Sequence, residues 1–275
     1  HERAAVSAAR AAAVGGFAGT SVLEAGRTYG IPAIGTAAHS FTLVHDTEEQ
    51  AFAAQVATMG PDTTLLVDTY DVERGVARAV QAAREAGGEL GAVRLDSGDL
   101  VAQAFTVRKQ LDDLGATSTK ITVTSDLDEY AIAALGAAPV DSYGVGTKLV
   151  TGSGFPTAEL VYKLVAREDA NGNMKEVAKK SAFKKSYGGL KVAGRLADED
   201  GVAREEVIVS AESWEQGRAE LEEMGARPLQ VPLVLGGSIQ PHHSVAEASE
   251  HHISSRNQLP YQAWRLSAGE PALPS

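Results

Sequence analysis

Ala92-Val93-Arg94-Leu95-Asp96-Ser97-Gly98-Asp99-Leu100 passes from one kind of structure to another without a spacer. The short apolar run with β-branched Val93 reads as a strand over 92–95, bounded by the turn chemistry of Asp-Ser-Gly-Asp. From Leu100 to Leu114 the apolar positions recur at helical spacing, and Gly115 supplies the stop. A strand feeding directly into a helix, with its polar residues gathered at the junction, is half of a parallel βα unit.

The same unit recurs on both sides. Upstream, Leu65-Leu66-Val67 is a strand, Asp68-Thr69-Tyr70-Asp71 the junction, and 72–86 a helix closing on Gly87-Gly88. Downstream, Ile121-Thr122-Val123 leads through Thr124-Ser125-Asp126 to a helix over 128–135, and Tyr143 to Val145 leads through Gly144-Val145-Gly146-Thr147-Lys148. Earlier still come a helix over 4–14, a short strand over 31–34 with Gly35-Thr36-Ala37-Ala38-His39-Ser40 after it, and a helix over 47–59. This alternation predicts an α/β fold with a parallel sheet. If the strands close into a barrel, their C-terminal ends converge on the face where barrel active sites lie.

Beyond Glu159 the pattern changes. Residues 160–167 and 174–181 read as strands around the hairpin turn Asp169-Ala170-Asn171-Gly172-Asn173, and 190–195 and 207–210 continue the strand character. Residues 213–224 and 245–256 read as helices. The expected organisation is an α/β barrel over 1–158, a smaller β-rich domain over 159–240 and a helical tail over 241–275. His1 runs straight into a helical pattern with no initiator methionine, so a longer protein, entered midway, is expected.

Composition limits the function. The 275 residues are 44% hydrophobic, enough for a sizeable core, and carry a net charge of −11, which argues against general nucleic-acid binding. With no cysteine there is no disulfide, thiolate metal site or thiol nucleophile. No apolar run approaches the ~20 residues that span a bilayer, and no signal peptide opens the chain; a cytoplasmic enzyme is expected.

Taken singly, Ser or Asp at a strand-to-helix junction is an ordinary N-cap. Recurrence over successive junctions, with Arg94 and His39 among them, points instead to a site. Asp96 and Asp99 flank a glycine that lets the backbone approach a ligand, and Asp68, Asp71 and Asp126 are candidates to join them. Such carboxylates suit ribose hydroxyls or a magnesium pyrophosphate, and equally a divalent-metal enolase or aldolase site. His39 reads as base, metal ligand, phosphoryl acceptor or structural donor. Gly144-Val145-Gly146-Thr147 lacks the third glycine of a dinucleotide fingerprint, since Leu149 stands there; it offers either a phosphate-binding turn or a plain one. His242-His243 and His251-His252 lack the helical spacing of a zinc site, and Lys179-Lys180-Ser181-Ala182-Phe183-Lys184-Lys185 reads as a solvated strand face or a basic stretch that attracts phosphates.

Taken together, the ordered runs Gly16-Phe17-Ala18-Gly19-Thr20-Ser21, Gly30-Ile31-Pro32 into Gly35–Ser40, Leu66–Asp71, Arg94–Asp99, Thr124–Asp126 and Tyr143–Thr147 resemble nicotinate phosphoribosyltransferases, and the tail Gly269–Pro274 resembles bacterial members. The resemblance implies an irregular TIM-like parallel α/β barrel with part of a smaller β-rich domain. It implies transfer of phosphoribosyl from phosphoribosyl pyrophosphate to nicotinate, coupled to ATP hydrolysis, with Mg2+ carried by phosphoribosyl pyrophosphate and ATP and no protein-held metal. His39 is implied as the phosphoryl acceptor, with Arg94 near nicotinate and the reacting ribose. Asp68, Asp96, Ser97 and Asp99 are implied at the ribose or the magnesium pyrophosphate, with Ser125 and Asp126 lining the same pocket. Gly144, Gly146 and Thr147 fall to the 5′-phosphate, and Thr20 and Ser21 to the pyridine substituent. A homodimer with the pocket at its interface is also implied. An Asp-Phe-Gly-x-Arg-type segment, which stacks the ring, is expected ahead of His1. The alternatives are a nicotinamide phosphoribosyltransferase, disfavoured by the neutral Ser21, and a non-catalytic nucleotide-binding relative or inert fragment.

Overall fold

Leu65, Val93 and Ile121 stand side by side in register, and all three are fully buried. They are the centre of a parallel sheet in the computed structural model, which describes residues 2–152, 155, 157–181, 184–241 and 243–274, without the side chains of Glu2 and Lys184. In chain order, helices α1 (Glu2–Val14), α2 (Leu23–Tyr29), α3 (His39–Leu43) and α4 (Glu48–Met59) come first. Strands β1 (Thr64–Leu66), β2 (Ala92–Leu95), β3 (Lys120–Val123) and β4 (Ser142–Tyr143) then pair in sequence order. Between them run α5 (Val72–Glu85), α6 (Leu100–Asp113) and α7 (Glu129–Leu135), and α8 (Thr147–Thr151) follows β4.

The helices between the strands form on buried apolar positions and side-chain caps. On α5, Val76, Ala79, Val80 and Ala83 are buried; on α6, Ala104, Val107 and Leu111 are. Thr47, Asp71, Asp99 and Asp128 accept a backbone N–H at the starts of α4, α5, α6 and α7. Beneath them Val67, Leu95, Val123 and Leu127 complete one core. The expected α/β class with a parallel sheet stands. Among the described residues the four strands do not close into a ring. The strand expected over 31–34 is reduced to a single parallel bridge between Thr20 and Ala33, because Pro32 has no N–H to extend a ladder.

By compactness the chain divides into two units. One comprises residues 20–23 and 32–157 with the start of α1; the other comprises 6–19, 24–31 and the residues after 157. In the second unit, β9 (Leu190–Ala197) is the centre of an antiparallel sheet with β10 (Ala203–Ala211) and β11 (Arg227–Pro228), after the small hairpins β5 (Ala166–Glu168) with β6 (Met174–Glu176) and β7 (Lys180–Ser181) with β8 (Lys184–Lys185). Helix α9 (Trp214–Glu223) packs Leu221 with Val192, Val209 and Ala226. The hairpin β12 (Val234–Leu235) with β13 (Ser238–Ile239) precedes α10 (Val245–Asn257), which a Ser244–Glu247 capping box opens. The turn at 169–173 forms as expected, but its first arm is shorter than expected. Leu160, Val161, Tyr162 and Leu164 stay exposed, because the short β6 offers ladder partners only to 166–168. Ala182, Phe183 and His242, read above as parts of a basic run and a histidine pair, lie outside the described residues.

Gly75 sits in the interior of α5, where alanine is ordinarily better by about 1 kcal/mol. Here a Cβ would overlap the carbonyl oxygen of Val67, so α5 lies against the end of β1 only because position 75 has no side chain. Gly75→Ala is expected to destabilise the protein by about 1–3 kcal/mol, read as a lower urea midpoint at unchanged m-value. A midpoint equal to or above wild type would show that α5 has room to shift.

Candidate active site

Asp68 follows β1, and its side chain is only 2% exposed. Its Oδ2 accepts hydrogen bonds from the backbone N–H of Asp96 at 2.9 Å and from the Ser97 hydroxyl at 2.9 Å. The backbone agrees, since Val67 N–H donates to the Arg94 carbonyl at 3.1 Å. The C-terminal ends of β1 and β2 are thus tied together by a buried carboxylate, whose Oδ1 has no hydrogen-bond partner among the described residues.

Arg94 and Asp96 share one face of β2, because alternate residues of a strand point the same way. The Arg94 guanidinium is engaged through each of its three nitrogens. Nε donates to Thr124 Oγ1 at 2.9 Å, Nη1 to Thr36 Oγ1 at 2.7 Å and Nη2 to Asp96 Oδ1 at 2.9 Å. The Thr124 hydroxyl in turn donates to Asp96 Oδ1. Gly144 makes this possible: a Cβ there would overlap the Thr124 methyl group. Burial pushes the Asp96 carboxyl up, but the Thr124 and Arg94 hydrogen bonds and the charges of Arg94 and His39 outweigh it. The carboxyl is held below its ordinary value of 3.8.

His39 opens α3, with Nδ1 3.0 Å from Thr69 Oγ1. Its Nε2 lies 3.7 Å from Asp96 Oδ2 and 3.8 Å from Asp68 Oδ1. The His39 side chain is 39% exposed while the carboxylate beneath it is buried, so the ring stands between solvent and the buried charge. A cation, two carboxylates and an imidazole therefore meet at the ends of adjacent parallel strands, where open α/β sheets bind ligands.

Other expected residues lie around this cluster in different ways. Asp99 caps α6 through Ala102 N–H at 3.1 Å, and Asp71 caps α5. Ser125 and Asp126 follow Thr124 with φ of 99° and 48°, left-handed conformations that cost non-glycine residues on the order of 1–3 kcal/mol and gather at functional sites. Both are exposed, as are Gly146 and Thr147 at the start of α8. Thr20, in its bridge to Ala33, and exposed Ser21 precede Thr36 on the chain without bonding the cluster directly. His243 stacks on His251 with ring centroids 6.3 Å apart. Among the described residues no group of three or more His, Cys, Asp or Glu is arranged to hold a metal ion. Thr36, Thr69 and Thr124 were not singled out from sequence, and their only signal was a place just past an expected strand end.

The sequence profile of the nicotinate phosphoribosyltransferase (NAPRTase) family matches residues 2–204. Nicotinate phosphoribosyltransferase pncB1 of Mycobacterium tuberculosis is 50% identical over 283 aligned positions, covering 100% of this chain and 60% of its own length. The Bacillus subtilis nicotinate phosphoribosyltransferase is 43% identical over 184 positions, 65% of this chain and 37% of its own. The fold is shared with human nicotinic acid phosphoribosyltransferase, at a TM-score of 0.67 and 22% identity over 98% of this chain and 66% of that one. The chain belongs to the nicotinate phosphoribosyltransferase family, and it spans about 60% of the length of the Mycobacterium relative.

Because the folded Asp96 carboxyl titrates below 3.8, its ionised form stabilises the fold above that pH. This contribution fades as the pH falls through the folded value. Asp96→Asn is expected to cost about 1–2 kcal/mol at neutral pH, as for other charge-assisted hydrogen bonds, and the deficit to narrow below about pH 4. Urea titrations of both proteins at several pH values read this directly; a deficit independent of pH would remove the carboxylate charge from the account.

Proposed function

We propose that this chain carries the catalytic face of a nicotinate phosphoribosyltransferase. The observation that supports it most is the His39–Asp68–Asp96–Arg94 cluster at adjacent strand ends, in a chain of that family. In the proposed reaction the ring nitrogen of nicotinate bonds to C1 of phosphoribosyl pyrophosphate as the C1–O bond breaks. Nicotinate mononucleotide forms and pyrophosphate leaves. Arg94, locked by three acceptors, is a preorganised positive charge beside the reacting centre, which needs no rearrangement when charge moves. Asp68, Asp96 and Ser97 receive ribose hydroxyls, with Asp99, Ser125 and Asp126 at the pocket's rim. The backbone of Gly144, Gly146 and Thr147 faces the 5′-phosphate, and Thr20 and Ser21 face the ring carboxylate.

Mg2+ fits this arrangement: Asp68 Oδ1 is a buried, unpartnered carboxylate oxygen, Asp96 Oδ2 lies across the same histidine nitrogen, and hard oxygen donors are what Mg2+ takes. Bound with its phosphates, the ion supplies charge neutralisation of the leaving pyrophosphate. Two carboxylates fall short of a resident metal site and suit a cation that arrives with the substrate. In the coupled half of the proposal, His39 takes the γ-phosphoryl group of ATP, ADP leaves, and water later cleaves the phosphohistidine to phosphate. The histidine is both solvent-facing and backed by acidic oxygens, as that role requires. A homodimer in the cytoplasm completes the reading, the dimer resting on the resemblance and the location on the sequence composition.

His39→Ala is expected to abolish ATP hydrolysis and the ATP stimulation of synthesis, leaving slow ATP-independent transfer. Incubation with γ-labelled ATP should place acid-labile label on His39; label on another residue would refute the coupling role. Ser21→Asp tests the ring end. A carboxylate facing a carboxylate costs on the order of a few kcal/mol, so preference should shift from nicotinate toward nicotinamide by roughly ten- to a thousandfold. Competition between the two bases measures it, and an unchanged ratio would remove Ser21 from the ring contact.

A further inference from the structure

We propose that Thr69 is a positioning residue: its hydroxyl donates to Nδ1 of His39 and thereby keeps the ring proton on Nε2, facing Asp68 and Asp96. This deepens the reading of His39 given above and rests on it for its catalytic meaning, though not for its geometry.

The only hydrogen bond of the His39 ring among the described residues is the 3.0 Å contact between Nδ1 and Thr69 Oγ1. A threonine hydroxyl can donate or accept, so this contact alone leaves the tautomer open. The opposite nitrogen decides it. Nε2 has Asp96 Oδ2 at 3.7 Å and Asp68 Oδ1 at 3.8 Å. Asp68 Oδ1 is buried without a partner, and an unsatisfied buried acceptor is costly. A lone pair on Nε2 would face two carboxylates, whereas an N–H there faces them favourably. In the neutral ring the proton therefore belongs on Nε2, Nδ1 carries the lone pair, and Thr69 is the donor.

The chain places that hydroxyl firmly. Thr69 lies between Asp68, tied to Asp96 and Ser97, and Asp71, which caps α5. The hydroxyl thus arrives at Nδ1 from rigid backbone on either side, while the nitrogen it meets belongs to a separate segment, at the start of α3. The same pair of contacts stops the ring from flipping, since a flip would turn Cε1 toward the carboxylates in place of Nε2 and Cδ2 toward the Thr69 hydroxyl in place of Nδ1.

The ring nitrogens of 15N-histidine-labelled protein report the tautomer without any activity. Spectra are followed into the alkaline range until the His39 shifts, assigned with His39→Gln, stop changing. The expected result is a pyrrole-type Nε2 and a hydrogen-bonded, pyridine-type Nδ1. In Thr69→Val the Nδ1 signal should move to the position of an unbonded pyridine-type nitrogen or split its population between tautomers, and Thr69→Ser should restore it. A pyrrole-type Nδ1 in the wild-type protein, or identical ring signals in Thr69→Val, would overturn the proposal even if the transfer activity stands. The expected signals with no phosphorylation of wild-type His39 would uphold the positioning while overturning the coupling role.

Discussion

A charge taken out of water is tolerable only where hydrogen bonds replace its hydration, and Asp68 sets that condition for this site. Its carboxylate is almost wholly covered, and one oxygen holds both the backbone N–H of Asp96 and the hydroxyl of Ser97. Removing either donor would leave a buried anion poorly compensated, a cost of several kcal/mol. The loop after β2 is therefore not free to choose its path. Once the Asp96 N–H is committed to Asp68, the direction of the Asp96 side chain follows, and with it the acceptor for Arg94 and Thr124.

The sheet supplies the other half of this precision. Along β2, Val93 and Leu95 point to one side, into the core shared with α5 and α6, and Arg94 points to the other. Parallel pairing puts Leu66, Arg94 and Thr122 in one row, and the residues past that row form the cluster. Gly75 and Gly144 act at its margins by omission. One lets α5 lie against the end of β1, and the other lets Thr124 stand between Arg94 and Asp96.

Much of this was legible in the sequence because the signals were local. The strands at 92–95 and 120–123 and the helices between them have the right period and clear caps, so their bounds came within a residue or two. His39, Arg94, Asp68 and Asp96 stood out as charged or titratable groups at junctions, and the structure brings these four together. Where an outcome depended on a distant partner, sequence was mute. The apolar run at 160–164 has strand composition but no ladder, and Pro32 left a bridge where a strand was expected. Asp99 and Asp71 looked equivalent to Asp68 and Asp96 on the page, yet each spends its carboxylate on a helix cap. What separates the two pairs is which loop folds back over which strand end, and that is a long-range fact.

The threonines show the same limit from the chemical side. Thr124 accepts from a guanidinium and donates to a carboxylate through one oxygen, and Thr36 takes another arm of the same arginine. A hydroxyl is useful there because it can sit between opposite charges and satisfy both, a task no charged residue performs. The consequence is electrostatic. With Arg94 hydrogen-bonded through each of its three nitrogens, the cluster holds two carboxylates against one cation, in a chain whose net charge is −11. A bare polyphosphate approaching Asp68 and Asp96 would be repelled. In the proposed reaction, substrates that carry Mg2+ would meet the same carboxylates through their metal, so the groups that repel the free anion would receive the complexed one.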